Sequence, residues 1–404
     1  MKFLRVLCVL WGLLSTGFCL DRNAFTFTHY DLTAHIEPEQ QRLAVRGRIR
    51  LRNDSSSPQK DISLQISSTL GWRSILLAGN PIQFLSQTYT SDVDHTGALS
   101  EAIVTLPQPA PPKGSVELEI GYEGTISLDT TRLTRIGVPK DTAAHTDWDQ
   151  IGKSFTALRG IGYVVWYPVA TEAASLSQGN DVFETLGRWK GRETDSEMSL
   201  RICQEYGQDS SRKIVSNGLE AGGRASGGGS GSEGGNTKND PSSVCGDYKF
   251  QPVGLSVPTF AVADFAIMES PASRVYYFAE HKQLAEDYAQ AAEKAVPFVS
   301  NWFGTPHSKA QIVELTGARD SPFDGGTTLL TPLDQVDPKL AEIAAVHQLT
   351  HAALHSSRPW IYEGLAHFAQ AACRQRQDGR RAALDWLAAH AQTVIATENQ
   401  LALE

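Results

Sequence analysis

His347 and His351 lie four residues apart, and Glu363 follows twelve residues later, all within the stretch VHQLTHAALHSSRPWIYEGLAHFAQ at 346–370. On a helix, residues four apart differ by about 40° in direction, so the two imidazoles project side by side, as two ligands of one metal must. Ser356, Ser357, Arg358 and Pro359 read as a turn. Glu363 then sits on a second helix, where it can close a His, His, Glu set that leaves a fourth position open for water, the arrangement of metal-assisted hydrolysis. The His-x-x-x-His pair alone is weak, because with 11 His in 404 residues it is expected by chance roughly 0.3 times. Context decides. The run Trp360-Ile361-Tyr362-Glu363-Gly364-Leu365-Ala366 puts a carboxylate inside an apolar helix start. Burial there costs several kcal/mol unless a cation pairs with the carboxylate. The residue after His347 is Gln348, at the position where the His-Glu-x-x-His pattern carries its proton-accepting carboxylate, and an amide does not accept that proton at neutral pH. His355 and His367, one turn beyond His351 and Glu363, are expected on the same face as second-rank bases or surface residues.

Elements that could hold these residues can be read on either side. Asp337-Pro338 is a helix start, with a capping carboxylate and a proline at the first helical position. Before it, 311–315 and 327–330 read as strands, and from Ala266 onward Tyr277, His281, Leu284, Tyr288, Ala292 and Val296 keep one helical face. From Tyr30 to about Phe265 the period is two. Leu43, Val45, Gly47, Ile49 and Leu51 alternate with arginines at 42, 46, 48, 50 and 52, and Val116, Leu118, Ile120 and Tyr122 repeat the pattern. One face is buried and the other wet, so this part reads as an antiparallel β-sandwich. The arginine stripe is a solvated strand face. Residues 218–246 interrupt the pattern with a Gly/Ser-rich tract too poor in apolar residues to order itself, expected to be a disordered insert whose 221–239 stretch a non-specific protease cuts first.

Composition bounds the rest. The length allows two domains, and 41% hydrophobic with 20% charged residues is an ordinary globular balance. A net charge of -9 without a Lys/Arg cluster argues against nucleic acid. Residues 1–20 have Lys2 and Arg5 ahead of an apolar run at 6–14 and then small residues, the layout of a secretory signal peptide. The expected location is therefore secreted or periplasmic, and Cys19 leaves lipid anchoring as the minority alternative. No later segment is long and apolar enough to span a bilayer. In an oxidising compartment Cys203 and Cys245 could pair and staple the base of the insert, worth ~4 kcal/mol on the chain-entropy model, or stay as free thiols.

The motif His347-Gln348-Leu349-Thr350-His351 followed by 360–366 resembles the gluzincin peptidases of the aminopeptidase N type, which include leukotriene hydrolase. The segment LSVPTFAVADF at 255–265 resembles the end of that family's N-terminal β-domain, and 27–51 its first strands. The resemblance covers most of the mature chain. It implies an α+β protein: an N-terminal antiparallel β-sandwich over 21–268, followed at 269–404 by a thermolysin-like mixed α/β zinc-peptidase domain. It implies zinc on His347, His351 and Glu363, and a peptide or protein substrate. Where the family has a Gly-x-Met-Glu-Asn strand that grips the substrate amine, this chain offers 321–327, so Asp324, Gly325 and Gly326 are the expected substrate-binding residues. The family's Tyr downstream of the third ligand has no counterpart, since no Tyr follows Tyr362, and the chain stops at Glu404, where relatives continue through further helices, so it is expected to be truncated. With Gln348 in the base position, the expected function is impaired zinc-dependent hydrolysis, which Gln348→Glu would restore in part. The alternative is a non-catalytic zinc-binding module, a pseudopeptidase that holds peptides.

Overall fold

The structure, a computed structural model, describes residues 20–205, 211–221, 243–333 and 337–401. The expected signal peptide, Cys19 included and Leu20 excepted, and residues 222–242 of the insert lie outside the described residues, while the ends of the insert, expected to be disordered, are strand at Leu219–Glu220 and from Ser243. The architecture is mixed α+β, with several sheets and a C-terminal set of helices.

Alternation in the N-terminal part does what its period requires. Strand Arg42–Asn53 buries Leu43, Val45, Ile49 and Leu51 completely and turns its arginines outward. Gly47 sits where any Cβ would collide with the Asp31 carbonyl of the neighbouring strand. These strands build an eight-stranded sheet in the order Leu219–Glu220, Ser243–Phe250, Glu197–Glu205, Phe25–Glu37, Arg42–Asn53, Ser115–Thr125, Leu70–Leu77, Asn80–Pro81. One pairing departs from the antiparallel expectation, because Phe25–Glu37 and Glu197–Glu205 run parallel. The sheet is therefore mixed. A parallel neighbour needs a long crossover, and the chain supplies one between Thr125 and Glu197. Gln59–Ser67, Ala98–Ala110 and Phe84–Thr90 form a second, three-stranded sheet, and Ile62, Leu64 and Val104 from it share one hydrophobic cluster with Leu43, Val45 and Ile49. Cys203 and Cys245 are register partners and form a disulfide, while Cys373 is a buried free thiol.

Glu101, on the three-stranded sheet, is fully buried, its register partner being Gln65. Burial opposes its charge, but hydrogen bonds from Arg22, Gln87, Ser63 and Gln65 outweigh this and hold its pKa down to about 2 from 4.5. Because the folded value is depressed, the stabilisation is present above about pH 4.5 and is lost as pH falls toward 2. The shift corresponds to roughly 3 kcal/mol. Urea unfolding between these two pH values should show a steep acid limb in the parent protein and a flatter one in Glu101→Gln; equal slopes would reject the assignment.

The C-terminal part is organised on a five-stranded sheet in the order Ala266–Glu269, Ser273–Tyr277, Ala310–Glu314, Thr328–Thr331, Phe323–Gly325. The helical period expected after Ala266 begins later, because Ala266–Glu269 and Ser273–Tyr277 are strands. Val275, Tyr276 and Tyr277, β-branched or aromatic, end a strand, and the helix occupies Lys282–Phe303. It buries Ala285, Tyr288, Ala292, Ala295 and Val299. The next helix, Pro338–Ala353, starts where Asp337 accepts a hydrogen bond from Lys339 N at 2.9 Å. The last, Pro359–Leu401, is broken by Gly379, whose φ of 86° and ψ of 173° are not helical. Val299, Ile343, Val346, Leu349, Ala369 and Cys373 tie the three helices into one cluster. Val215, Ala261, Phe265, Tyr276, Val313 and Leu330 join the five-stranded sheet to the three-stranded sheet Lys213–Ser216, Phe260–Ala263, Phe155–Leu158. Among the described residues no helix is long and apolar enough to cross a membrane.

Candidate metal centre

His347 and His351 stand on successive turns of Pro338–Ala353, both buried, with ring centroids 4.7 Å apart. Glu363, in the second turn of the following helix, reaches between them. Its Oε2 is 3.6 Å from His347 Nε2 and 3.5 Å from His351 Nε2, and the two Nε2 atoms are 3.1 Å apart. Two ligands each ~2.0–2.1 Å from a tetrahedral zinc are separated by about 3.3 Å, and the three observed separations bracket that value. The donor set fits zinc. It is the one cluster of three such side chains among the described residues.

Burial opposes the charge of Glu363, yet hydrogen bonds from both histidines hold its carboxyl far below the usual range. The carboxylate stands at nearly the same distance from both rings, and the charge of His347 works against that of His351. For His347, burial is outweighed by Glu363 and by the charge of Asp324, so its pKa is raised. For His351 burial prevails, and its pKa is lowered.

Gln348 is fully buried beside the ligand pair. Its Nε2 donates to Asp324 Oδ1, and its Oε1 is buried without a partner. Asp324 is the middle residue of Phe323–Gly325, the edge strand of the five-stranded sheet, and is itself exposed. Gly325 and Gly326 are buried beside it. Gly326 has a φ of 68°, and a Cβ there would approach Tyr362 Oη to 3.1 Å, while one on Gly325 would stand 2.9 Å from Asn217 Nδ2. Of the three expected substrate residues, Asp324 meets Gln348, Gly326 lies near Tyr362, and Gly325 lies near Asn217. The edge strand is pinned from the N-terminal part of the chain, because Trp148 Nε1 donates to Ser321 O at 2.9 Å and Phe323 meets Tyr163 edge-on at 5.5 Å.

Several expectations are corrected. The motif helix ends at Ala353 with Leu354 extended, so His355 is not on the ligand face but exposed beyond the cap. His367 does reach the site, with its ring 5.0 Å from that of His347 and its Nδ1 3.1 Å from Gln370 Oε1. Trp360 is 72% exposed, so the helix start around Glu363 is less apolar than its sequence suggests; Tyr362 and Ala366 supply the buried side. Tyr362 was not expected at the site. Its ring lies over His351 with centroids 3.8 Å apart and a 31° tilt, which fixes the imidazole plane. An aromatic directly before the third ligand was the available signal.

No protein-family model matches the sequence, and no curated protein matches it. Solved structures do match. An M1 zinc metallopeptidase from Deinococcus radiodurans superposes with a TM-score of 0.55 at 16% identity, covering 91% of this chain and 75% of that one. A mutant of that enzyme bound to a Tyr-Ser-Ala substrate gives 0.51 over 91% of this chain and 76% of that one, at 16% identity. Yeast LTA4 hydrolase in complex with bestatin gives 0.52 at 11% identity, covering 92% of this chain and 53% of that chain. The class defined here is a fold, that of the M1 zinc metallopeptidases.

Proposed function

We propose that the chain is an exported zinc metallopeptidase of the aminopeptidase N type, with a signal peptide at 1–20, a β-sandwich at 21–268 and a thermolysin-like domain from 269 onward. The observation that carries the reading is the convergence of His347, His351 and Glu363 at tetrahedral ligand spacing. The M1 fold and the peptide held by one of its structural neighbours support it.

His347, His351 and Glu363 would hold the ion. Bound zinc supplies a Lewis acid that polarises a carbonyl and acidifies water. The chain's own side chains do the remainder. Asp324, Gly325 and Gly326 present the edge strand along which an extended peptide can lie. Tyr362 keeps the His351 ring in plane. Gln348 accepts no proton, so a site that relied on position 348 alone would hydrolyse roughly 10²- to 10⁴-fold more slowly than one with Glu there.

That same amide favours the second reading, a zinc-binding module that holds peptides without cutting them. Turnover separates the two. Zinc-loaded protein incubated with free tripeptides and amino-acid amides should release amino acids, and a chelator should stop it. Zinc-replete protein that binds these peptides and leaves them intact would establish the binding module.

A further inference from the structure

The amide at position 348 has a partner, and the partner is a carboxylate. Gln348 is fully buried, and Asp324 Oδ1 takes the proton offered by its Nε2, so the amide orientation is set: turned over, Oε1 would face the negative oxygen. Asp324 lies outside the three-donor group. Its hydrogen bond with Gln348, the neighbour of His347 in the chain, places it beside the metal centre. As an exposed residue on an edge strand it can be reached by water and by substrate, while the strand is held by the Tyr163–Phe323 ring contact and by the bond from Trp148 Nε1 to Ser321 O.

We propose that Asp324 is the proton-accepting catalytic residue of this site, delivered from the edge strand rather than from the metal-binding helix, and that Gln348 is its positioning residue. The inference rests on the zinc-peptidase reading above. Asp324 takes one proton from the attacking water as the water oxygen forms its bond to the scissile carbonyl carbon. It returns that proton to the leaving amine nitrogen as the C–N bond breaks. The carboxylate is regenerated, and one water is consumed per bond cut. The pair carries a single negative charge, on the strand instead of the helix. A Glu at 348 would bring two carboxylates within hydrogen-bond distance, where they cannot both ionise freely. Gln348→Glu is therefore no simple repair of this site, contrary to what the motif alone suggests.

The test uses the full chain and three variants, Asp324→Asn, Gln348→Glu and the double exchange, each assayed for zinc content, peptide turnover and melting temperature after metal removal. Asp324→Asn should keep its zinc and its KM while kcat falls ~10²- to 10⁴-fold. Gln348→Glu should melt lower than the parent, and the exchange, which restores one carboxylate and one amide, should recover that loss. Full turnover by zinc-loaded Asp324→Asn would overturn the assignment and leave the zinc reading standing. So would a loss confined to substrates with a free α-amino group, with N-acetylated peptides unaffected, since Asp324 would then hold the amine. An unchanged melting profile for Gln348→Glu would show that the two side chains do not act as a pair. Absence of zinc from the parent and all variants would overturn both readings together.

Discussion

His351→Ala should leave a folded protein whose zinc affinity is lower by about 10²-fold. The estimate divides the ~10–16 kcal/mol of a four-ligand site among its ligands, which gives roughly 3 kcal/mol for each. His351 is a suitable probe because it sits in the last turn of its helix, so removing its ring disturbs the metal centre more than the hydrophobic cluster built on Ile343, Val346 and Leu349. The ring it removes is stacked on Tyr362, so a modest loss of stability is expected as well. Competition with a chromophoric chelator reads the affinity, and circular dichroism checks the fold. Both histidines must be neutral to bind the ion, so the parent's affinity should fall as pH drops through the imidazole range. An unchanged affinity in the variant would reject the site.

Asp149→Ala is expected to cost about 3–5 kcal/mol, because it strands a buried cation. Arg159 is 1% exposed, and its Nε and Nη2 donate to Asp149 at 2.6–3.3 Å. Its guanidinium is sandwiched between Trp148 at 3.8 Å and Tyr163 at 3.5 Å. Tyr163 in turn packs against Phe323, next to Asp324. The unfolding midpoint in denaturant measures the loss, and Asp149→Asn, which keeps one acceptor, should lose less. A change under 1 kcal/mol in Asp149→Ala would show that Arg159 finds another partner.

How much of this was legible depended on whether a residue's partners were near it in the chain. His347 and His351 were readable because four residues on a helix fix a direction, and Asp337-Pro338 because a cap is a local event. Leu43 to Leu51 were readable because strand burial has period two. The parallel pairing of Phe25–Glu37 with Glu197–Glu205 was not, since nothing within either strand specifies a neighbour more than a hundred residues away. The helical reading after Ala266 failed up to Tyr277 because Ala266–Glu269 and Ser273–Tyr277 are strands of four and five residues, too short for their period to outweigh that of the helix after them. His355 failed for a related reason: the spacing continued, but the helix stopped at Ala353. Gln348 was singled out as a departure, while its bond to Asp324 spans 24 residues and two elements, and only folding brings them together.

Titrating zinc into chelator-stripped protein in a calorimeter decides whether His347, His351 and Glu363 form a zinc site. One tight site per chain is expected, which disappears when His347 and Glu363 are both replaced by alanine. Absence of a saturable zinc site in the parent, or the same isotherm in the double variant, would contradict that expectation.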